Sequence, residues 1–244
     1  MKIEFSNVKK KHHSKMETLK CSPVFKQRSY DTMKKHIELL NSNENKYTHL
    51  LLGDSLFENF TIENGGLSFY DIIGNENIFN ASVGGDKVEN IIYRLVESRL
   101  FDHINLQNLT NIFILAGTNN LNNKKQEICK QIIIEGIITI IEHIKIKLNI
   151  NLNIYILKIS PRTDIKIELI NEVNQSLKKI VDNYGNEKIK LYFIDWTSEF
   201  YNIETEIINK EYYFDHVHIN KLGYKVLSKY LIDSSNKYIN RRSK

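Results

Sequence analysis

Five short runs rich in Ile and Leu constrain this chain more than any other feature. They lie at 47–52, 78–81, 111–115, 152–159 and 189–194, and helix-like stretches alternate with them. Runs of four to eight residues have strand length, and the absence of an apolar–polar alternation within them predicts burial on both faces. The stretches at 31–40, 87–100, 125–148, 164–184 and 222–232 read as helices. In the first, Asp31 is placed as a cap, and Met33, Ile37 and Leu40 share one face. Ser160-Pro161 stops the fourth strand. Strands that alternate with helices predict an α/β fold: one three-layer α/β/α sandwich around a parallel sheet of about five strands.

No repeat and no Pro/Gly/Ser-rich linker divides the chain, and 244 residues suit one domain. The hydrophobic content of 41% and mean hydropathy of −0.37 fit a soluble protein with a sizeable core. The formal net charge of +5 sits at the two ends. Residues 1–20 carry six Lys against two Glu, and 237–244 carry Lys237, Arg241, Arg242 and Lys244 with no acid. The body between them is mildly acidic, which speaks against nucleic acid as a partner. The expected organisation is therefore a polar basic extension over 1–28, a domain over 29–236 and a basic tail over 237–244. Deleting residues 1–25 is expected to cost little stability. Cys21 and Cys129 are too few for a disulfide framework and read as reduced thiols of a cytoplasmic protein. The first twenty residues show no apolar core of a signal peptide. The most apolar stretch, 132–141, contains Glu135 and Gly136 and reads as a core helix rather than a membrane span.

In a parallel α/β sheet the loops that leave the strands' carboxyl ends share one rim, where ligands bind. The chemistry-bearing residues of this chain fall on those loops. Gly53-Asp54-Ser55-Leu56 follows the first strand, and Asn80-Ala81-Ser82-Val83-Gly84-Gly85-Asp86 ends the second and follows it. Ala116-Gly117-Thr118-Asn119-Asn120 follows the third, and Phe214-Asp215-His216-Val217-His218 precedes the last helix. A hydroxyl, glycine amides, a carboxamide, a carboxylate and imidazoles are the parts of a nucleophile, an oxyanion hole and a base with its orienter.

These four blocks, in this order, resemble those of the SGNH (GDSL) hydrolase superfamily. The resemblance implies Ser55 as nucleophile, the backbone N–H groups of Ser55 and Gly85 with the Asn119 side chain as oxyanion hole, and His218 as base oriented by Asp215. Within the superfamily the blocks are most similar to the catalytic subunits of intracellular platelet-activating-factor acetylhydrolase. Tyr93-Arg94-Leu95, Ser160-Pro161-Arg162, and Phe214-Asp215 and His218 followed by Gly223-Tyr224 carry that likeness. Ser82 stands where those enzymes have glycine, and Asn80-Ala81-Ser82 with Gly85 resembles instead the bacterial thioesterase and lysophospholipase branch. Segment 57–77 resembles neither. The resemblance implies a serine esterase that hydrolyses a short acyl ester of a lipid or sugar through an acyl-serine intermediate. The alternatives are a thioesterase or lysophospholipase for longer chains, and a non-catalytic binding module on the same fold.

Other residues have plainer readings. Asp54 reads as a turn former, Asp86 as the N-cap of the next helix, Asn120 as a turn residue and His216 as a loop histidine turned away from the pair. Arg162 lies near the rim, within reach of a substrate. Asp195-Trp196 ends the fifth strand, where it lines the pocket or packs. His36, His49, His103 and His143 read as structural, and no metal-ligand cluster extends beyond 215–218. The chain has no phosphate-binding glycine loop, so no cofactor is expected, and the partner expected is a small-molecule ester. A homo-oligomer is compatible with the sequence but not indicated by it. Phe57 follows Leu56, so the Gly-x-Ser-x-Gly elbow of α/β-hydrolases is missing.

Overall fold

The five apolar runs form one parallel sheet of strands β1 His49–Gly53, β2 Ile78–Asn80, β3 Asn111–Leu115, β4 Leu152–Leu157 and β5 Ile189–Ile194. The computed structural model describes residues 21–42, 47–104, 108–202, 204–205 and 207–242, with the side chains of 42 and 236–242 outside that description. Helices α1 Gln27–Ser42, α2 Ser55–Glu58, α3 Leu67–Ile73, α4 Val88–Val96, α5 Gln126–Lys147, α6 Ile167–Tyr184 and α7 Lys221–Arg242 surround the sheet. The strand order is β2-β1-β3-β4-β5. The chain leaves β1 toward one edge and returns at β3 on its other side, which opens a crevice at the carboxyl ends of those two strands.

The period of two along each strand separates two cores. Leu50, Leu52, Ile112, Ile114, Ile154 and Ile156 point to an aliphatic core closed by α1, α4, α5 and α6. Leu51, Phe113, Leu115, Tyr155 and Leu157 point to an aromatic-rich core closed by α2, α3 and α7. Both faces are covered, as the unbroken apolar runs require. In the aromatic layer Phe113, Tyr155 and Tyr192 are register partners on β3, β4 and β5. Their rings stack at 4.5 and 5.2 Å, a cross-strand ladder that ties the sheet together. Buried His49 stacks on Phe113, and burial lowers its pKa to about 4, so it is a neutral core residue. On the aliphatic side, α5 buries Ile133, Ile137, Ile140, Ile141 and Ile144, as the reading of 132–141 as a core helix predicts. Among the described residues no helix is long and apolar enough to cross a membrane.

Several boundaries differ from the sequence reading: α4, read over 87–100, ends at Val96, and three more are shifted. α1 begins at Gln27 rather than at 31, and Asp31 accepts a hydrogen bond from the Gln27 side chain at 2.9 Å inside the helix. α6 begins at Ile167 rather than at 164, and Asp164 lies before it with its carboxylate held by Arg162. α7 runs to Arg242, since no Gly or Pro interrupts 231–242, so its backbone continues through most of the stretch read as a tail.

The N-terminal segment differs more. Residues 1–20 lie outside the described residues, but 21–28, read as extension, lie on the domain. The Cys21 side chain is buried, and its N–H donates to Thr139 Oγ1 at 3.2 Å. The Val24 N–H donates to Glu89 O, and Val24 O accepts from Asn90 Nδ2, each at 3.0 Å. Cys21 and Cys129 are both free, buried thiols, and burial together with Glu89 and Glu135 pushes Cys21 up to about 11. Deleting residues 1–25 is therefore expected to cost about 2 kcal/mol, from three hydrogen bonds and one buried side chain. At this chain length that is about 4–8 °C in Tm, read by scanning calorimetry. An unchanged Tm would show that the segment adds nothing to the fold.

Candidate active site

Ser55 stands where β1 turns into α2. The turn is tight at Gly53, where a Cβ would press into the Leu115 carbonyl oxygen of the neighbouring strand. Asp54 caps α2, its Oδ1 accepting the Leu56 N–H at 3.0 Å. The loop before α7 brings His218 to the serine. His218 Nε2 is 2.9 Å from Ser55 Oγ, and His218 Nδ1 is 2.8 Å from Asp215 Oδ2. With Nδ1 protonated toward the carboxylate, Nε2 faces the hydroxyl as an acceptor. Asp215 Oδ1 accepts the Val217 and His218 N–H groups at 2.7 Å each. Burial alone would raise the Asp215 carboxyl, but the His218 ring and these two N–H bonds outweigh it and hold it well below the usual carboxylate range. The Phe214 N–H donates to His218 O at 2.7 Å, closing the loop on itself.

Gly85 and Asn119 lie on loops fastened to the one that carries Ser55. The Val83 N–H donates to Gly53 O at 3.2 Å, and Asn119 Nδ2 donates to Asp86 O at 2.9 Å. Gly85 has φ +73°, a left-handed conformation that a side chain would strain. Ser82 is accommodated in place of glycine: it is buried, and its N–H donates to Asn80 Oδ1 at 3.1 Å. Asn120, read as a turn residue, also links two blocks. Its Oδ1 accepts the Val88 N–H at 3.1 Å, and its Nδ2 donates to Glu89 at 2.7 Å.

Asp86 is not a helix cap. Lys87 precedes α4, and the Asp86 carboxylate is fully buried against Arg94, whose Nε donates to Oδ2 at 3.0 Å. The Ser29 hydroxyl donates to its other oxygen. The Arg94 guanidinium also donates to Ala81 O and to Gly53 O, so one buried cation spans the loops after β1 and β2. Nothing in the sequence reading gave Arg94 this role, although an arginine beside Ile91, Ile92 and Leu95 on a buried stripe was a signal for it.

Arg162 does lie at the rim, but its guanidinium is committed. It donates to Thr118 O at 2.8 Å and forks onto Asp164 at 2.9 and 2.7 Å. It thereby steadies the residue before Asn119. His216 points away from the pair, its Nε2 3.7 Å from Asp164 Oδ2. Trp196 is fully buried and donates to Lys158 O, so it packs rather than lining a pocket. Among the described residues no group of three or more His, Cys, Asp or Glu could hold a metal. A cavity of about 430 Å³ adjoins the His218 side, lined by Asn59, Asn64, Phe214, Ile219, Lys221 and Tyr224 among others. Phe214 is 84% exposed there.

Asp54 is completely buried, and its Oδ2 has no hydrogen-bond partner among the described residues. Burial pushes its carboxyl up to about 7, against the pull of the Leu56 N–H, and the Asp86 charge adds to the rise. A carboxyl whose folded pKa is raised binds its proton more tightly when folded. Its stabilisation is complete below about pH 4, the unfolded value, and is lost as pH rises through about 7. Asp54→Asn keeps the acceptor for Leu56 and removes the titration. The stability difference, Asp54→Asn minus wild type, is expected to grow in favour of the variant between pH 4 and 7, read from urea midpoints. A flat difference would show that the Asp54 carboxyl titrates at the same pH in the folded and unfolded states.

No protein-family model matches the chain, and no curated protein matches it significantly. Solved structures do. A protein from Streptococcus pneumonia named for platelet activating factor superposes with a TM-score of 0.67 at 20% identity, covering 85% of this chain and 92% of that one. A GDSL-like lipase from Bacteroides thetaiotaomicron gives 0.63 at 15% identity, over 86% and 98%. The acetyl xylan esterase AlAXEase gives 0.56 at 14% identity, over 76% and 98%.

Proposed function

We infer that this chain, which has the fold of the SGNH (GDSL) hydrolases, is a serine esterase that hydrolyses short-chain acyl esters, such as acetyl groups on a lipid or sugar. The observation that carries the reading is the unbroken relay from Ser55 Oγ through His218 to Asp215, at 2.9 and 2.8 Å. Ser55 Oγ attacks the ester carbonyl carbon while its proton passes to His218 Nε2. The negative charge on the carbonyl oxygen is met by the N–H groups of Ser55 and Gly85 and by the Asn119 amide. The tetrahedral species collapses, the C–O bond to the alcohol breaks, and His218 returns its proton to the leaving oxygen. Water then attacks the acyl-Ser55 carbonyl, again losing a proton to His218, and the acid departs with Ser55 restored. Asp215 stays ionised throughout and holds the imidazolium.

One feature favours a short acyl group: Phe57, Phe60 and Phe69 are fully buried in the aromatic core around α2, so their packing leaves no room for an acyl chain within it. The neighbours' names, GDSL-like lipase and acetyl xylan esterase, have ester hydrolysis in common. The test is a series of p-nitrophenyl esters from acetate to decanoate, with Ser55→Ala as control. The kcat/KM is expected to be highest at acetate or butyrate, because each methylene that finds no pocket forgoes about 0.8 kcal/mol of burial. A steady rise to decanoate would transfer the reading to a lysophospholipase or thioesterase. Failure to cleave any ester faster than Ser55→Ala would overturn hydrolysis itself.

A further inference from the structure

We propose that Lys26 is a positioning residue of this site, and that segment 21–28 is a strap that sets the angle of the Gly84–Gly85 peptide. The proposal rests on the reading of Gly85 as an oxyanion donor and adds a residue from outside the four sequence blocks. The Lys26 ammonium donates to Gly84 O at 3.1 Å and stands 3.5 Å from Asp86 Oδ1. A Cβ placed on Gly85 would lie 3.0 Å from it. The cation thus straddles Gly85, touching the residue on either side.

The carbonyl of Gly84 and the N–H of Gly85 belong to one planar trans peptide, so they point in opposite directions. Fixing the carbonyl fixes where the N–H aims. That matters because two consecutive glycines have no side chains to resist rotation of the peptide between them. An oxyanion donor contributes only if it is already aimed when charge develops. The ammonium also polarises the peptide it binds, which strengthens the N–H at the other end. The strap is tied down around Lys26. Val24 is bonded to Glu89 and Asn90 of α4, and Arg28 pairs at 2.9 Å with Glu58 of α2. A Cβ on Gly84 would meet that Arg28–Glu58 pair, so the strap closes over both glycines.

Lys26→Met keeps the length of the side chain and removes the donor, whereas Lys26→Arg keeps the donor. Two measurements separate this proposal from the esterase reading. The first is the backbone order parameter of the Gly85 amide, from NMR relaxation without substrate, with the β1 amides as an internal standard for folding. The Gly85 order parameter is expected to fall from about 0.85 to below about 0.6 in Lys26→Met and to return in Lys26→Arg, while β1 stays unchanged. The second is hydrolysis of p-nitrophenyl acetate. In Lys26→Met kcat is expected to fall about 10- to 100-fold with KM nearly unchanged, and Lys26→Arg recovers most of it. A wild-type kcat in Lys26→Met overturns the proposal, as does an unaltered order parameter at Gly85. If wild type cleaves no ester, the esterase reading fails on its own, and the Gly85 order parameter alone decides the strap.

Discussion

The His218→Ala variant is expected to lose about four orders of magnitude in kcat/KM toward p-nitrophenyl acetate, while His216→Ala stays within about threefold of wild type. The two histidines lie two residues apart on one loop, so the contrast separates chemistry from local structure. The His218 ring lies between Ser55 Oγ and Asp215 Oδ2 and makes both bonds of the relay. The His216 ring faces Asp164 across 3.7 Å on the other side of the loop. What holds the loop does not depend on the His218 ring. Its closing bonds run from the Phe214, Val217 and His218 N–H groups to His218 O and Asp215 Oδ1. The variant should therefore fold with its thermal transition little changed. Because the triad members act as a unit, Ser55→Ala/His218→Ala should be hardly slower than either single variant. A His216→Ala enzyme that falls as far as His218→Ala would show that the base has been misassigned.

Much of this architecture was legible because it rests on local signals. Each strand announces itself by a run of Ile and Leu with no polar alternation, since both of its faces are buried. The contact of Ser55, His218 and Asp215 was legible for a related reason. Asp215 and His218 are three residues apart on one tight loop, and Ser55 follows a strand directly, so short sequence blocks carry the geometry. Segment 57–77 was not legible. Its conformation depends on Thr61 and Gly65, whose turn leads into α3, and on packing against α7, including the bond from the Phe69 N–H to Ser228 Oγ at 3.0 Å. No local pattern encodes a partner 159 residues away. The same holds for the strap. Lys26 and Arg28 stand in a basic, polar stretch that reads as tail, and only the tertiary fold sets them over Gly84 and Gly85. Asp86 shows the opposite error, a local rule applied where a long-range contact wins. A carboxylate just before a helix is a good cap by rule, but here the buried Arg94 takes it.

That pair yields the largest expected effect on stability. Arg94→Met is expected to lower the unfolding free energy by about 3–5 kcal/mol, read from urea midpoints at constant m-value. The cost has two sources. Among the described residues the Asp86 carboxylate, fully buried, then keeps only the Ser29 hydroxyl and the Lys26 ammonium, the latter at 3.5 Å, as partners. The Ala81 and Gly53 carbonyls lose their shared donor as well. Removing both charges should be milder than removing one. In Asp86→Leu/Arg94→Met no charge is left stranded, and much of the lost stability should return. Activity should not follow it back. Arg94 joins the Gly53 carbonyl, at the end of β1, to the Ala81 carbonyl and Asp86 on the loop of Gly85. An apolar pair can fill that space but cannot hold the two loops at a fixed offset. The double variant is therefore expected to be near wild type in urea yet at least about tenfold down in kcat for p-nitrophenyl acetate. If activity returns together with stability, the ion pair serves the fold alone. If Arg94→Met costs less than about 1 kcal/mol, the cation is not needed where the structure places it.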